Sequence, residues 1–290
     1  YAVAARDSER AKAFAEKFSA KKFYGSYLDL IRDDEVDAIY IGLPHNLHYE
    51  IAKLCVENGK AVLCEKPFFT NKKDAEALFE LAAKRKCLLM EGMWTRFLPA
   101  YRKAKEWVDQ GKIGQLKLID ASFSFNAPFQ AEGRLFNPQL AGGALLDAGV
   151  YPIEFATGIA GEYPEKLASL STKAPTGVDD VDVIQMRFPS GVLASLSCGI
   201  SVKTSPDAHI YGTNGFVVVY NFLATKKCEL YDNEGQLVES FNKEVPDGFV
   251  YEIEHFCDLY QRGCTESDLI SWRNTMDCAE IFDRINADKM

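Results

Sequence analysis

Residues 1–90 alternate short apolar runs with stretches of helical periodicity at close intervals, and this alternation restricts the fold more than any other feature of the chain. Residues 1–5 read as a short buried strand. Ala11, Phe14, Ala15 and Phe18 then recur at helical spacing, with Ser8 as the candidate N-cap. Tyr27, Leu28, Leu30 and Ile31 suggest a second short helix. Residues 36–43 form a nearly continuous apolar run, as expected of a strand with helices on both faces, and Pro44 ends it. A helix is predicted over 48–58, with Gly59 as its C′ residue. A strand over 61–64, a helix from Asn71 to residue 84 and a strand over 87–90 follow. Such alternation predicts a parallel sheet with right-handed crossovers, the doubly wound architecture. All strand C-termini then share one edge, so Arg6, residues 44–48, residues 65–67 and residues 91–96 should line a single crevice.

The texture changes near residue 99. A helix over 100–110 leads into strand-like segments at 117–125, 167–171, 182–188, 192–197, 208–211, 216–220, 227–231 and 237–241. Turn signals separate them, among them Pro189-Ser190-Gly191, Thr213-Asn214-Gly215 and Asp232-Asn233-Glu234-Gly235. These predict a large, mainly antiparallel sheet, interrupted by one helical stretch at 143–160. Helices over 250–262 and 272–286 close the chain. The expected fold is therefore an α/β Rossmann-type domain over 1–98 and an α+β substrate-binding and dimerisation domain over 99–290. The last helix is expected to pack back on the first domain. The length of 290 residues suits about two domains of roughly 150 residues each.

Composition removes other classes. With 47% hydrophobic and 26% charged residues, the chain is neither disordered, collagen-like nor a coiled-coil rod. No run reaches the ~18 apolar residues of a spanning helix, since Asp147 and Glu154 break the best candidate. Charges at Arg6, Asp7, Glu9 and Arg10 fall where a secretory signal needs an apolar core. A net charge of −9 without a long basic run disfavours nucleic acid as a partner. None of the eight cysteines is in C-x-x-C spacing, so reduced, mostly buried thiols of a cytoplasmic protein are expected, with no metal site.

Five constellations could carry chemistry. Lys66 follows a strand and precedes Pro67, so it either reaches the crevice or is a surface lysine before a turn. Asp147 and Tyr151 are one helical turn apart behind Gly142-Gly143. A tyrosine ionises near ~10, but a nearby ammonium favours the phenolate and would make Tyr151 an acid or base. The alternative is a buried tyrosine bonded to Asp147. Leu43, Pro44, His45 and Asn46 stand at a strand exit where a cofactor's ribose or nicotinamide would pass, and His48 begins a helix; local hydrogen bonds explain the histidines equally well. Arg6, beside Ser8, follows Ala5 at the position where dinucleotide folds place an acid for the ribose hydroxyls. A guanidinium there suits a ribose phosphate, or is simply solvated. The run Met93-Trp94-Thr95-Arg96-Phe97 either shapes a pocket and holds a diphosphate or packs two domains together. The glycine fingerprint G-x-G-x-x-G is absent, and Tyr1 reads as the start of a second strand. A strand, a glycine turn and a helix of about 30–40 residues in all are therefore expected upstream.

Taken together, Glu65-Lys66-Pro67, the segment from Pro44 to His48 and the block Gly-Gly-Ala-Leu-Leu-Asp-Ala-Gly-Val-Tyr resemble the family of glucose–fructose oxidoreductase, inositol dehydrogenase and their relatives. The resemblance covers essentially the whole chain. The runs 62–67 and 93–97 are most similar to the dimeric dihydrodiol dehydrogenase branch. It implies an NADP-linked oxidoreductase, with NAD as the second choice, acting on a sugar, polyol or trans-dihydrodiol. Lys66 would be the catalytic lysine, Tyr151 the general acid/base and Asp147 its acidic partner. Glu65, Trp94 and Arg96 would contact cofactor or substrate, and a homodimer is implied. A non-catalytic NADP-binding sensor and a sugar–nucleotide or biliverdin-type reductase are the alternatives on the same scaffold.

Overall fold

The computed structural model describes residues 1–288. The first part runs β1 (Ala2–Ala4), α1 (Ser8–Phe18), β2 (Lys22–Tyr24), α2 (Tyr27–Ile31), β3 (Ala38–Ile41), α3 (His48–Glu57), β4 (Ala61–Glu65), α4 (Lys72–Arg85) and β5 (Leu89–Gly92). Every pairing among these strands is parallel. Val62, Cys64 and Leu89 lose all solvent contact between α3 and α4, beside a cluster of Phe68, Phe69 and Phe79. Each such apolar side chain contributes roughly 1.5–3 kcal/mol.

Local details differ from expectation at two places. The side chain capping α1 is that of Asp7, which accepts from the amides of Glu9 and Arg10, while Ser8 is the first helical residue. The β3 run is not covered on both faces: Ala38 and Tyr40 are exposed. The reason is an interruption in the sheet. β1 pairs only with β2, and β3 only with β4, among the described strands. A cleft of about 1370 Å³ separates β1 from β3 and is walled by Val3, Phe14, Phe18, Ile39 and Tyr40.

The second part begins with α5 (Pro99–Asp109), whose proline occupies the first turn, where a missing N–H costs nothing. Then come β6 (Leu116–Ser124), a π-helical turn (Leu145–Gly149) continuing into α6 (Val150–Ala160), β7 (Lys166–Lys173), β8 (Asp179–Arg187), β9 (Leu193–Gly199), β10 (Ala208–Gly212), β11 (Gly215–Tyr220), β12 (Lys227–Asp232), β13 (Leu237–Asn242), α7 (Phe249–Gln261) and α8 (Trp272–Asp288). The eight strands form one sheet in the order β13-β12-β11-β10-β6-β9-β8-β7, antiparallel except for β6 with β9. α5 and α6 cover its inner face, burying Trp107, Ile119, Phe155, Leu196 and Ile210. The outer face keeps apolar groups in solvent, including the cross-strand pair Leu170 and Val183.

α8 lies against the first part of the chain. Trp272 stacks on Phe79 with centroids 5.1 Å apart and donates its indole N–H to the Leu89 carbonyl. Thr275 donates to Glu91, and Lys72 pairs with Glu280. Among the described residues all eight cysteines are thiols, and Cys257 is the exposed one. No group of three or more His, Cys, Asp or Glu is arranged there to hold a metal, and no helix is long and apolar enough to cross a membrane.

Candidate active site

The end of β4 delivers Lys66 to the junction with the second sheet. There its Nζ donates to the carbonyl oxygen of Asp147 at 2.7 Å and lies 3.9 Å from the Asp147 carboxylate. The same Nζ stands 4.3 Å from the centre of the Tyr151 ring. The two glycines before the π-helical turn make this approach feasible. A Cβ on Gly142 would meet the carbonyl oxygens of Arg134 and Leu135 at 2.7 Å, and one on Gly143, whose φ is +125°, would meet Asp179 at 2.6 Å. Asp179 in turn accepts the amide of Leu145 and fixes the start of the turn. Phe123 packs edge-on against Tyr151 at 5.3 Å, and Trp94 stacks on Phe249 at 4.7 Å beside it.

The charges in this cleft are interlocked. Burial alone would raise the Asp147 carboxyl, but Lys66 and Arg134 outweigh it and hold the group below the usual carboxylate range. Burial pushes the Lys66 amine down, against the pull of Asp147. Burial likewise pushes the His45 imidazole down, aided by Lys66, although His45 Nε2 stands 3.9 Å from Asp147. Tyr151 departs from the expectation that Lys66 would favour its phenolate. Burial, reinforced by Glu65, pushes the phenol above its ordinary range, and Trp94 offsets this in part. The ammonium addresses the face of the ring, while acids act on the hydroxyl. The hydroxyl therefore keeps its proton in this environment.

The other residues singled out from sequence are distributed around this centre. Arg6 and Ser8 are exposed beyond the end of β1. Leu43 and Pro44 follow β3 and are half-buried. His45 contacts the carbonyl of Ala141 through Nδ1 at 3.2 Å, and Asn46 donates to the carbonyl of Gln139 at 3.0 Å, so both tie the strand exit to the second part of the chain. Glu65 accepts the Tyr40 hydroxyl.

Two further residues have their polar groups engaged inside the protein. His48 is fully buried, with its ring nitrogens 2.8 Å from the carbonyls of Pro67 and Leu43, so it braces the two strand exits. Arg96 is held in a buried ion pair with Glu154 at 2.8 Å. It also donates to the Glu154 carbonyl and to Thr157. A guanidinium with no access to water must be compensated by a charge inside the protein, and Glu154 supplies it.

Sequence reading missed two participants. Arg134, on the loop before the glycines, donates to the Asp147 carboxylate with its side chain still largely in solvent. Glu252, in the first turn of α7, is buried beside the ends of β4 and β5. Neither stands in a motif: Arg134 reaches its partner across a loop, and Glu252 meets strand ends from a distant part of the chain.

Comparison with known proteins places the chain in a family. Residues 1–93 match the model of an oxidoreductase family with an NAD-binding Rossmann fold, and residues 101–218 match the GFO/IDH/MocA C-terminal domain. Human trans-1,2-dihydrobenzene-1,2-diol dehydrogenase is 35% identical, over 98% of this chain and 86% of its own length. The Mus musculus protein of the same name is 34% identical over 97% and 86%. Among solved structures, a 3-ketoreductase from Actinomadura kijaniata in complex with NADP and TDP-benzene superposes with a TM-score of 0.88. It is 27% identical, and the match covers 99% of this chain and 88% of that one. A levoglucosan dehydrogenase in complex with NADH and levoglucosan shares the fold, with a TM-score of 0.89 at 21% identity over 99% and 86%.

Proposed function

Because the chain belongs to the NAD(P)-dependent oxidoreductase family of glucose–fructose oxidoreductase, inositol dehydrogenase and their relatives, we propose that the cleft of Lys66, Tyr151 and Asp147 is its reaction centre. The substrate class we propose is a trans-dihydrodiol, sugar or polyol, whose carbinol carbon exchanges a hydride with the cofactor. The observation that carries this reading is the convergence of Lys66 from β4 with Asp147 and Tyr151 from the second part of the chain.

The residues present fit a phosphorylated dinucleotide. The carboxylate nearest the end of β1, Asp7, is committed to capping α1, while the exposed Arg6 offers a guanidinium. That donor set suits a ribose phosphate better than free ribose hydroxyls, which favours NADP over NAD. Leu43, Pro44, Glu65 and Trp94 would border the rest of the cofactor. When bound, the nicotinamide supplies or accepts the hydride. In the reducing direction Tyr151 donates its held proton to the carbonyl oxygen, and in the oxidising direction it takes the carbinol proton back. Lys66 holds the substrate oxygen, and Asp147, fixed by Arg134, keeps the lysine in place. Phe123 and Trp94 exclude water around the transfer, which strengthens each of these interactions.

Three further points belong to the same proposal. The division into domains falls at residues 98 and 99, supported by the change from parallel to mainly antiparallel pairing, with α8 returning to α4. A homodimer forms through the outer sheet face, where Leu170 and Val183 stand exposed. The thiols suit a cytoplasmic protein. Sedimentation at micromolar concentration checks the dimer. Steady-state oxidation of a diol, sugar and polyol panel with NADP and NAD tests the activity, and Tyr151→Phe should lower kcat/KM by about 10²–10⁴ on any substrate turned over.

A further inference from the structure

Glu91, on β5, is a buried acid that the mechanism above does not use. Its Oε1 accepts the backbone amide of Phe68 at 2.9 Å, and its Oε2 accepts the hydroxyl of Thr275 on α8 at 2.8 Å. Phe68 stands two residues past Lys66. The pairing of β4 with β5 ends at Glu65 opposite Gly92, so Lys66 lies just beyond the ladder. Pro67 has no N–H, which makes the peptide between Pro67 and Phe68 the first after Lys66 that can be held by both of its polar groups. It is held by both. Its carbonyl oxygen stands 2.8 Å from Nδ1 of His48, and its N–H donates to Glu91. Both gripping side chains are buried.

This grip bears on where a long, flexible side chain ends. Upstream of Lys66, β4 is fixed between β3 and β5. Downstream, Phe68 and Phe69 stack with centroids 4.3 Å apart and are buried against Phe79 of α4. Lys66 and Pro67 alone span the two anchors, and Lys66 must cross from there to Asp147 in the second part of the chain. Rotation of the gripped peptide would swing the Lys66 stem and open its 2.7 Å bond to the Asp147 carbonyl. Docking α8 does not account for the acid. Trp272 already ties α8 to β5 through the Leu89 carbonyl and stacks on Phe79, whereas a carboxyl group is costly to bury.

We propose that Glu91 is a positioning residue of the reaction centre: by holding the Phe68 amide, opposite the hold of His48 on the Pro67 carbonyl, it fixes the peptide that follows Lys66 and so sets where the Lys66 amine stands against Asp147 and Tyr151. Glu91 acts through the backbone and takes no part in proton transfer. The proposal rests on the reading of Lys66 as part of the reaction centre.

The test measures kcat, NADPH affinity and melting temperature for wild type, Glu91→Met, Glu91→Gln and Thr275→Val. Methionine keeps the length of the side chain but leaves the Phe68 amide unpaired. Its kcat should fall about ten- to a hundredfold, the effect of a misplaced catalytic group, with NADPH affinity within about twofold of wild type. Glutamine can accept the amide through its oxygen and donate to Thr275 through its nitrogen, so it should restore kcat to within about threefold. Thr275→Val cuts only the arm to α8; it should lower the melting temperature and keep kcat within about threefold. If Glu91→Met does not fold, Glu91→Asp takes its place. It draws the carboxylate back by one methylene and should lower kcat by about three- to tenfold where glutamine does not. In the Lys66→Met background, Glu91→Met or Glu91→Asp should cost less than about threefold more, because the two residues act as one unit. Losses that multiply with Lys66→Met, a kcat unchanged by Glu91→Met, or an equal loss in Thr275→Val would overturn this proposal alone. Lys66→Met within about threefold of wild type would overturn the reading of Lys66 and the proposal with it.

Discussion

The Lys66 ammonium sits over the face of the Tyr151 ring, 4.3 Å from its centre, and not at the hydroxyl. In the proposed reaction centre this placement separates two roles. Lys66 is anchored by the Asp147 carbonyl, while the phenol keeps its proton under the influence of burial and Glu65. A lysine at the hydroxyl would have favoured the phenolate; in this geometry the phenol stays protonated.

Tyr151→Phe tests that resting state. Removing the hydroxyl leaves the ring packed against Phe123 and under Lys66. Cofactor affinity should change by less than about twofold, while the kcat for carbonyl reduction falls by about 10²–10⁴. Fluorescence titration with NADPH and steady-state reduction assays read the two effects separately.

The Arg96–Glu154 pair gives the opposite signature. Both side chains are buried, and breaking such a pair by removing one partner costs about 3–5 kcal/mol. Glu154→Gln should therefore lower stability strongly in denaturant titration, yet leave the affinity for NADPH unchanged. A loss of cofactor affinity at equal stability would return Arg96 to the crevice.

Arg134→Ala should weaken the protein in a pH-dependent way. Asp147 is held below the usual range, so its contribution to stability is present above its unfolded pKa and is lost as pH falls through the folded value. The melting temperature of the variant should lie below that of wild type near about pH 7, and the gap should close below about pH 3. Calorimetry over that range checks the sign.

Arg6→Ala addresses the cofactor. If Arg6 holds a ribose phosphate, its loss should weaken NADPH binding about tenfold or more and leave NADH nearly untouched. Equal weakening of both would place Arg6 elsewhere on the dinucleotide.

Much of this arrangement is legible in the sequence where interactions are local. The apolar runs of β4 and β5, the cap at Asn71 and the glycine pair before the π-helical turn each declare themselves within a few residues. Lys66 is legible because a strand must end before Pro67. What is not legible depends on partners far along the chain. Arg96 cannot be sorted into ligand or ion pair without knowing that Glu154 lies opposite. Glu252 reads as one more acid in an amphipathic helix until β4 and β5 are brought against it. The parallel pairing of β6 with β9 inside an otherwise antiparallel sheet has no local signature either. Ser8 and Asp7 are both competent caps, and only backbone geometry selects Asp7.

The most direct test of the reaction centre is Lys66→Met, with turnover and NADPH affinity measured on the same preparation. The account expects kcat/KM on a confirmed diol or sugar substrate to fall by about 10²-fold or more while NADPH still binds. Turnover within about threefold of wild type would contradict it.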